Sequence, residues 1–120
     1  MPKLLVHVVT GPENPSRAAL AFLIAKVASN EGHGVTLFLA ADGVQLLRDQ
    51  VLDTLVGIGT GSLREHYDAL VAKGARFFVS VMSAKSRGMT DADFQGKPVE
   101  LAMPDVLVRL TFENDRILTY

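Results

Sequence analysis

Blocks of apolar residues alternate along this chain with stretches of helical periodicity. Leu4-Leu5-Val6-His7-Val8-Val9 is an unbroken, largely β-branched run, the pattern of a strand buried on both faces. Thr10-Gly11-Pro12-Glu13-Asn14-Pro15 follows as a turn. Asn14 stands as N-cap and Pro15 at the first helical position, where its missing N–H costs nothing. The helix runs from about Ser16 to Asn30, with Ala19, Phe22, Leu23, Lys26 and Val27 marking its period, and Gly32 and Gly34 end it. Val35 to Ala40 predicts the second strand, and Val44 to Val56 a helix with Leu46, Leu47, Val51 and Leu55 inward. Gly57 to Gly61 reads as a flexible loop. Ser62 and Glu65 have the spacing of a capping box for a helix ending at Gly74. Ala75 to Met82 predicts a third strand, and Ser80 to Gly88 a loop at its end. A short capped helix at Thr90–Phe94, a short strand at Val99–Ala102, a helix opened by Pro104 and an edge strand at Ile117–Tyr120 complete the pattern.

Strands alternating with helices predict an α/β, three-layer domain with a mostly parallel sheet, spanning residues 1–120 as one unit. Ligands in such sheets bind beyond the carboxyl ends of the strands. Here those ends are the Gly11–Arg17 turn, the Ala40–Gly43 turn and the Ser80–Gly88 segment.

Composition narrows the chemistry. The chain of 120 residues has a net charge of −1 and 48% hydrophobic residues. Lys73, Arg76, Lys85 and Arg87 lie in a stretch with no acid between Asp68 and Asp91. Four cations suit a small anion or an acidic partner, and no extended basic face or aromatic platform points to nucleic acid. The absence of cysteine removes disulfides, thiolate metal sites and thiol catalysis together. His7, His33 and His66 fit no zinc spacing, and no metal or cofactor is expected. No apolar run reaches bilayer length, and the N-terminus opens on a strand without a leader pattern. A cytoplasmic location is the expectation.

Several motifs in order then resemble one family. They are the opening strand, Thr10–Pro15, Phe38-Leu39-Ala40-Ala41-Asp42-Gly43-Val44, Leu63-Arg64-Glu65-His66-Tyr67, Ser80 through Gly88, and Leu101-Ala102-Met103-Pro104-Asp105. Together they resemble the DsrE/DsrF-like family, which includes persulfide carriers of bacterial sulfur relays. The resemblance implies a flavodoxin-like fold of about five strands and a homo-oligomer, commonly a trimer or hexamer. It also implies that the carrier cysteine of some relatives would fall at Ser80 or Ser83. A serine cannot hold a persulfide, so this chain is not expected to carry sulfur by itself.

The candidate ligand-binding residues are Thr10, Gly11, Asn14, Asp42, Ser80, Ser83, Lys85, Ser86 and Arg87. Ser80, Ser83 and Ser86 could donate hydroxyls to an anion beside Lys85 and Arg87; the ordinary reading is a solvated loop capping the next helix. Thr10, Gly11 and Asn14 precede a helix N-terminus, where N–H groups attract anions; the ordinary reading is a tight connection with an Asn cap. Asp42 sits where related sheets hold a ribose, yet no Gly-x-Gly-x-x-Gly lies upstream and Asp-Gly is a good turn. No catalytic residue is assigned. His7 reads as a neutral core histidine, His66 as a half-exposed helix residue and His33 as surface. Three functions remain open. The first is an oligomer binding a small anion or a protein partner at the strand ends. The second is an accessory subunit of a sulfur-transfer complex whose cysteine belongs to another chain. The third is a small serine-dependent hydrolase or transferase.

Overall fold

The computed structural model describes residues 1–120. The chain opens with β1 (Leu4–Val8), α1 (Pro15–Asn30) and β2 (Val35–Leu39), within a residue of expectation at each boundary. A 3₁₀ turn at Ala41–Leu47 leads to α2 (Asp49–Thr54), the short strands β3 (Val56–Gly57) and β4 (Gly61–Ser62), and α3 (Leu63–Ala72). Then come β5 (Arg76–Ser80), α4 (Val81–Ser86), α5 (Asp91–Phe94), β6 (Val99–Ala102), α6 (Pro104–Glu113) and β7 (Arg116–Thr119).

The main sheet is five-stranded, in the order β6-β5-β2-β1-β7, and every pairing is parallel. This is the expected α/β architecture of flavodoxin-like type, with helices on both faces. β3 and β4 form a separate two-stranded hairpin where the sequence suggested only a flexible loop. Gly59 and Gly61 supply the left-handed residues that its tight turn requires. The hairpin is clipped to α1: Ile58 N donates to Ser16 Oγ, and Thr60 Oγ1 to the Ser16 carbonyl.

Alternation of side chains along the strands divides the core. Val6, Val8, Leu37, Leu39, Phe77 and Val79 point to one face, under α1 and α3, within a cluster of 23 buried residues. Leu5, Phe38, Phe78 and Ala102 point to the other, where they meet Leu110 of α6. The inner face of α1 is Ala18, Ala19, Ala21, Phe22 and Ala25, not the Leu23-Lys26-Val27 side of the predicted period. Small residues let the helix lie close to its neighbours, and Val27 is left exposed.

Two predicted elements differ. The helix expected from Val44 to Val56 breaks at Arg48, which is extended (φ −65°, ψ 137°). Its guanidinium donates to the Arg87 carbonyl at 2.8 Å and pairs with Asp93 at 3.5 Å. These tertiary partners override the local helical period. The strand expected through Met82 ends at Ser80, whose hydroxyl accepts from Ser83 N at 3.1 Å and starts α4. The segment read as a loop is therefore mostly a helix.

His7 lies on the α6 face of β1, its ring edge-on to Phe38 at 6.1 Å, with Nε2 buried and unpaired. Burial lowers its pKa from the usual 6.5. The unfolded chain therefore binds a proton at a higher pH than the folded one. Its contribution is fully present above about pH 6.5 and is lost as pH falls through the lower folded value. Thermal unfolding followed by circular dichroism from neutral to mildly acid pH should show falling stability. The variant His7→Phe should lose part of that slope; an unchanged slope would show that His7 does not contribute.

No helix is long and apolar enough to cross a membrane.

Candidate functional site

Three chain segments converge beyond the carboxyl ends of β1, β2 and β5. Gly11 lies so close to the turn after β2 that a Cβ there would stand 2.2 Å from the Asp42 carbonyl oxygen. Asp42 Oδ1 accepts from Arg87 Nε at 3.0 Å, and Ala41 N donates to Ser83 Oγ at 2.8 Å. Thr10, Gly11, Asp42, Ser80, Ser83 and Arg87 thus belong to one cluster, as the placement of strand ends predicted.

Most of that cluster is satisfied internally. Gly11 N donates to both carboxylate oxygens of Glu13, at 2.9 and 3.1 Å. Thr10 is buried, with its N–H on the Tyr120 carbonyl. Asn14 Oδ1 accepts from Arg17 N and caps α1, so its side chain serves the helix. Ser86 Oγ donates to the Ser83 carbonyl and accepts from Arg87 Nη1, which also reaches the Ser83 carbonyl at 3.2 Å. Lys85 is exposed and forms no ion pair or side-chain hydrogen bond.

The basic stretch does not form one patch. Lys73 and Arg76 flank the amino-terminal end of β5, whereas Lys85 and Arg87 lie past its carboxyl end. A five-residue strand separates the pairs, roughly 16 Å at about 3.3 Å per residue. Arg76 lies over the ring of Phe78 at 4.9 Å, so it covers an aromatic side chain instead of serving the strand ends.

Ala41 was not singled out from the sequence. It has φ +50°, the only residue other than glycine with positive φ. A β-carbon in this region costs on the order of 1–3 kcal/mol and persists only where surroundings enforce it. Ser83 holds its N–H, and Gly43 N closes the turn on the Ala40 carbonyl at 2.9 Å. Ala-Asp-Gly after a strand is the signal that could have found it. Arg48 was missed because helical spacing concealed its role. Lys97 was missed too: its Nζ bonds Asp49 at 2.8 Å and the Asp93 carbonyl at 2.6 Å, fastening α5 to α2. The hydrogen bond from Lys97 holds the Asp49 carboxyl below its ordinary pKa.

The three histidines are engaged elsewhere or unpaired, and none hydrogen-bonds a serine. His33 Nδ1 donates to the Pro2 carbonyl at 2.7 Å. His66 is buried, where half-exposure was expected, with Nε2 on the Thr60 carbonyl at 2.7 Å. No group of three or more histidine, aspartate or glutamate side chains is arranged to hold a metal ion. An apolar cavity of about 290 Å³, lined by Leu4, Ile24, Val27 and Ala28 with Lys3 and Arg116 at its rim, opens at the opposite end of the sheet. The strand-end cluster offers free hydroxyl protons, one unpaired cation and a strained backbone turn. Such groups suit an anion or a polar partner surface; no serine of the cluster is hydrogen-bonded to a histidine or carboxylate.

A parallel sheet in this order, with a serine-lined cluster at its carboxyl edge, defines an α/β protein of flavodoxin-like type. The chain belongs to the DsrE/DsrF-like family, whose model matches residues 3–120. Among solved structures it is similar to the ychN protein from E. coli, with a TM-score of 0.78, 18% identity and all of both chains covered. It is also similar to a protein of unknown function, MTH1491 from Methanobacterium thermoautotrophicum, with a TM-score of 0.72, 17% identity and all of both chains covered. A conserved protein of unknown function, BT1422 from Bacteroides thetaiotaomicron, gives a TM-score of 0.70 at 11% identity, over 98% of this chain and 95% of that one. Comparison with curated proteins finds no match. At these identities the structural likeness concerns the fold.

Proposed function

We propose that this chain is a binding member of the DsrE/DsrF-like family, assembled as a homo-oligomer. Its strand-end cluster holds a small anion or an anionic group on a protein partner, without carrying sulfur itself. The observation that supports this most is the strained Ala41, whose N–H is held by Ser83 beside the Asp42–Arg87 pair. Strain of this kind collects at ligand clamps and switch regions. Lys85 supplies the free charge, and Ser83 keeps its hydroxyl proton for a ligand.

Inorganic phosphate and sulfate are the first probes. Titration followed by backbone NMR should shift the amides of Ala41, Ser83 and Lys85 together. The double variant Lys85→Ala, Arg87→Ala should weaken binding at least tenfold while thermal unfolding remains cooperative. Shifts scattered over the surface, or binding unchanged in the double variant, would defeat the reading.

A second reading rests on the same cluster. By the family resemblance the carrier cysteine of some relatives would fall at Ser80 or Ser83, and Met82 and Met103 are both exposed, giving soft apolar surface for a partner. An accessory role in sulfur transfer would place the reactive cysteine on another chain. Affinity purification from the native host should then retain a partner whose thiol is required for binding; partners that bind equally well after thiol blocking would count against it.

A further inference from the structure

The two edges of the main sheet are unlike. β6 follows Pro98 and carries the exposed Glu100 at its centre, the features that keep an edge from pairing. β7 has neither: its sequence is Arg-Ile-Leu-Thr, and all four residues are exposed. Ile117 and Leu118 are 40% and 41% exposed although they are paired to β1. An open edge strand with an apolar centre, its one charge confined to its first residue, is a template for another strand.

Hydrogen bonds to β1 identify which backbone groups are free. Arg116 N donates to the Lys3 carbonyl and Tyr120 N to the His7 carbonyl, while the Tyr120 carbonyl accepts from Val9 N. Inward and outward groups alternate in a parallel ladder. The N–H and C=O of Ile117 and Thr119 therefore point away from the sheet. Side chains alternate too: Ile117, opposite Leu5, lies on the α6 face, and Leu118, opposite Val6, on the α1 face.

We propose that β7 is the contact between two copies of this chain, joined antiparallel about a two-fold axis at Leu118. In that register Ile117 stands opposite Thr119 of the partner subunit, and Thr119 opposite the partner's Ile117. Each such pair exchanges both backbone bonds, so every outward group on β7 is used. Leu118 meets the partner's Leu118 in the intervening pair without hydrogen bonds, at a Cα separation of about 4.5 Å. Arg116 stands opposite the partner's Tyr120, where a guanidinium can lie over an aromatic ring. A second copy is the occupant the strand fits: its free groups, its apolar centre and the Arg-to-Tyr match of its ends are complementary to themselves in one register. The two sheets then continue as one of ten strands. This contact requires an assembly with a two-fold axis; a hexamer can contain one, and a ring of three cannot. The inference lies beyond the strand-end reading and does not depend on it.

The cysteine-free sequence makes the test direct. Leu118→Cys places one thiol on each copy at the axis, within the Cα range that a disulfide accepts. Under mild oxidation it should cross-link at least ~10-fold faster than Ile58→Cys, because the paired edge holds the two thiols at high effective concentration. Ile58 is 91% exposed and lies on the hairpin. Amide hydrogen exchange on the unmodified protein supplies a measurement that needs no variant. The Ile117 and Thr119 amides should be protected although they point away from their own sheet. Equal cross-linking rates in the two variants would overturn the proposal, as would rapid exchange at Ile117 and Thr119.

Discussion

Replacing Gly43 with alanine is expected to destabilise the protein by about 3 kcal/mol or more, at the upper end of the cost of overpacking. A Cβ at this position would lie 2.2 Å from the Val8 carbonyl oxygen and 2.9 Å from its carbon. Both atoms belong to the backbone of a central strand, and that oxygen already accepts from Ala40 N at 3.0 Å. No side chain can swing aside to make room. Gly43 is absent from the positive-φ residues, so the cost is one of space and not of conformation. Relief requires the 3₁₀ turn to move off β1, which pulls Ala41 away from Ser83. Gly59→Ala is the companion: φ is +75° with nothing within 4 Å, and about 1–2 kcal/mol is expected from handedness alone. Urea denaturation of the two variants compares them. Equal midpoints would show that the turn yields without breaking its contact with β1.

Ser83→Cys is expected to give a thiol with a pKa lowered by about one unit or more from the free value of about 8.5. Sulfur would take the place of the oxygen that accepts Ala41 N–H at 2.8 Å. The position lies in the first turn of α4, and Arg87, one turn on, places its guanidinium against the Ser83 carbonyl. A hydrogen-bond donor and a nearby positive charge both favour thiolate over thiol. Ser80→Cys should differ, because Ser80 is only 8% exposed and its hydroxyl caps α4. Iodoacetamide alkylation as a function of pH should show Cys at 83 reacting about tenfold faster at neutral pH than Cys at 58. An ordinary pKa at 83 would mean that the surroundings do not stabilise an anion, and would weaken the binding reading with it. A lowered value would show that the surroundings of Ser83 stabilise an anion, as the binding reading requires.

The central strands and first helix were legible in the sequence because their signals are local. β1, α1 and β2 follow from apolar runs, from Asn14 as a cap and from Pro15 at the first helical position. α3 follows from Ser62, whose hydroxyl accepts from Glu65 N. What was illegible depended on distant partners. Leu46, Leu47, Val51 and Leu55 keep helical spacing through Arg48, yet Arg48 is drawn out of the helix by Arg87 and Asp93. Apolar residues continue past Ser80 into Val81 and Met82, a pattern that extends a strand, while its actual end is set by one hydroxyl. In the site, the sequence located the strand ends but not the partners. Arg87 was expected to face a ligand and is bound to Asp42; Glu13 occupies the Gly11 N–H that an anion would have used.

The route from β6 to β7 governs when the fold can close. β6 occupies one edge of the sheet and β7 the other, so α6 carries the chain back across β5, β2 and β1. β7 is last in sequence and its partner β1 is first. As the polypeptide emerges from the ribosome, β1, β2, β5 and β6 can associate in order, but one flank of β1 stays unpaired until residues 116–119 are available. Contacts of such long sequence separation form slowly, and an unpaired apolar strand invites aggregation meanwhile. Folding therefore has a vulnerable interval in which four strands are in place and the flank of β1 still lacks the strand that covers it.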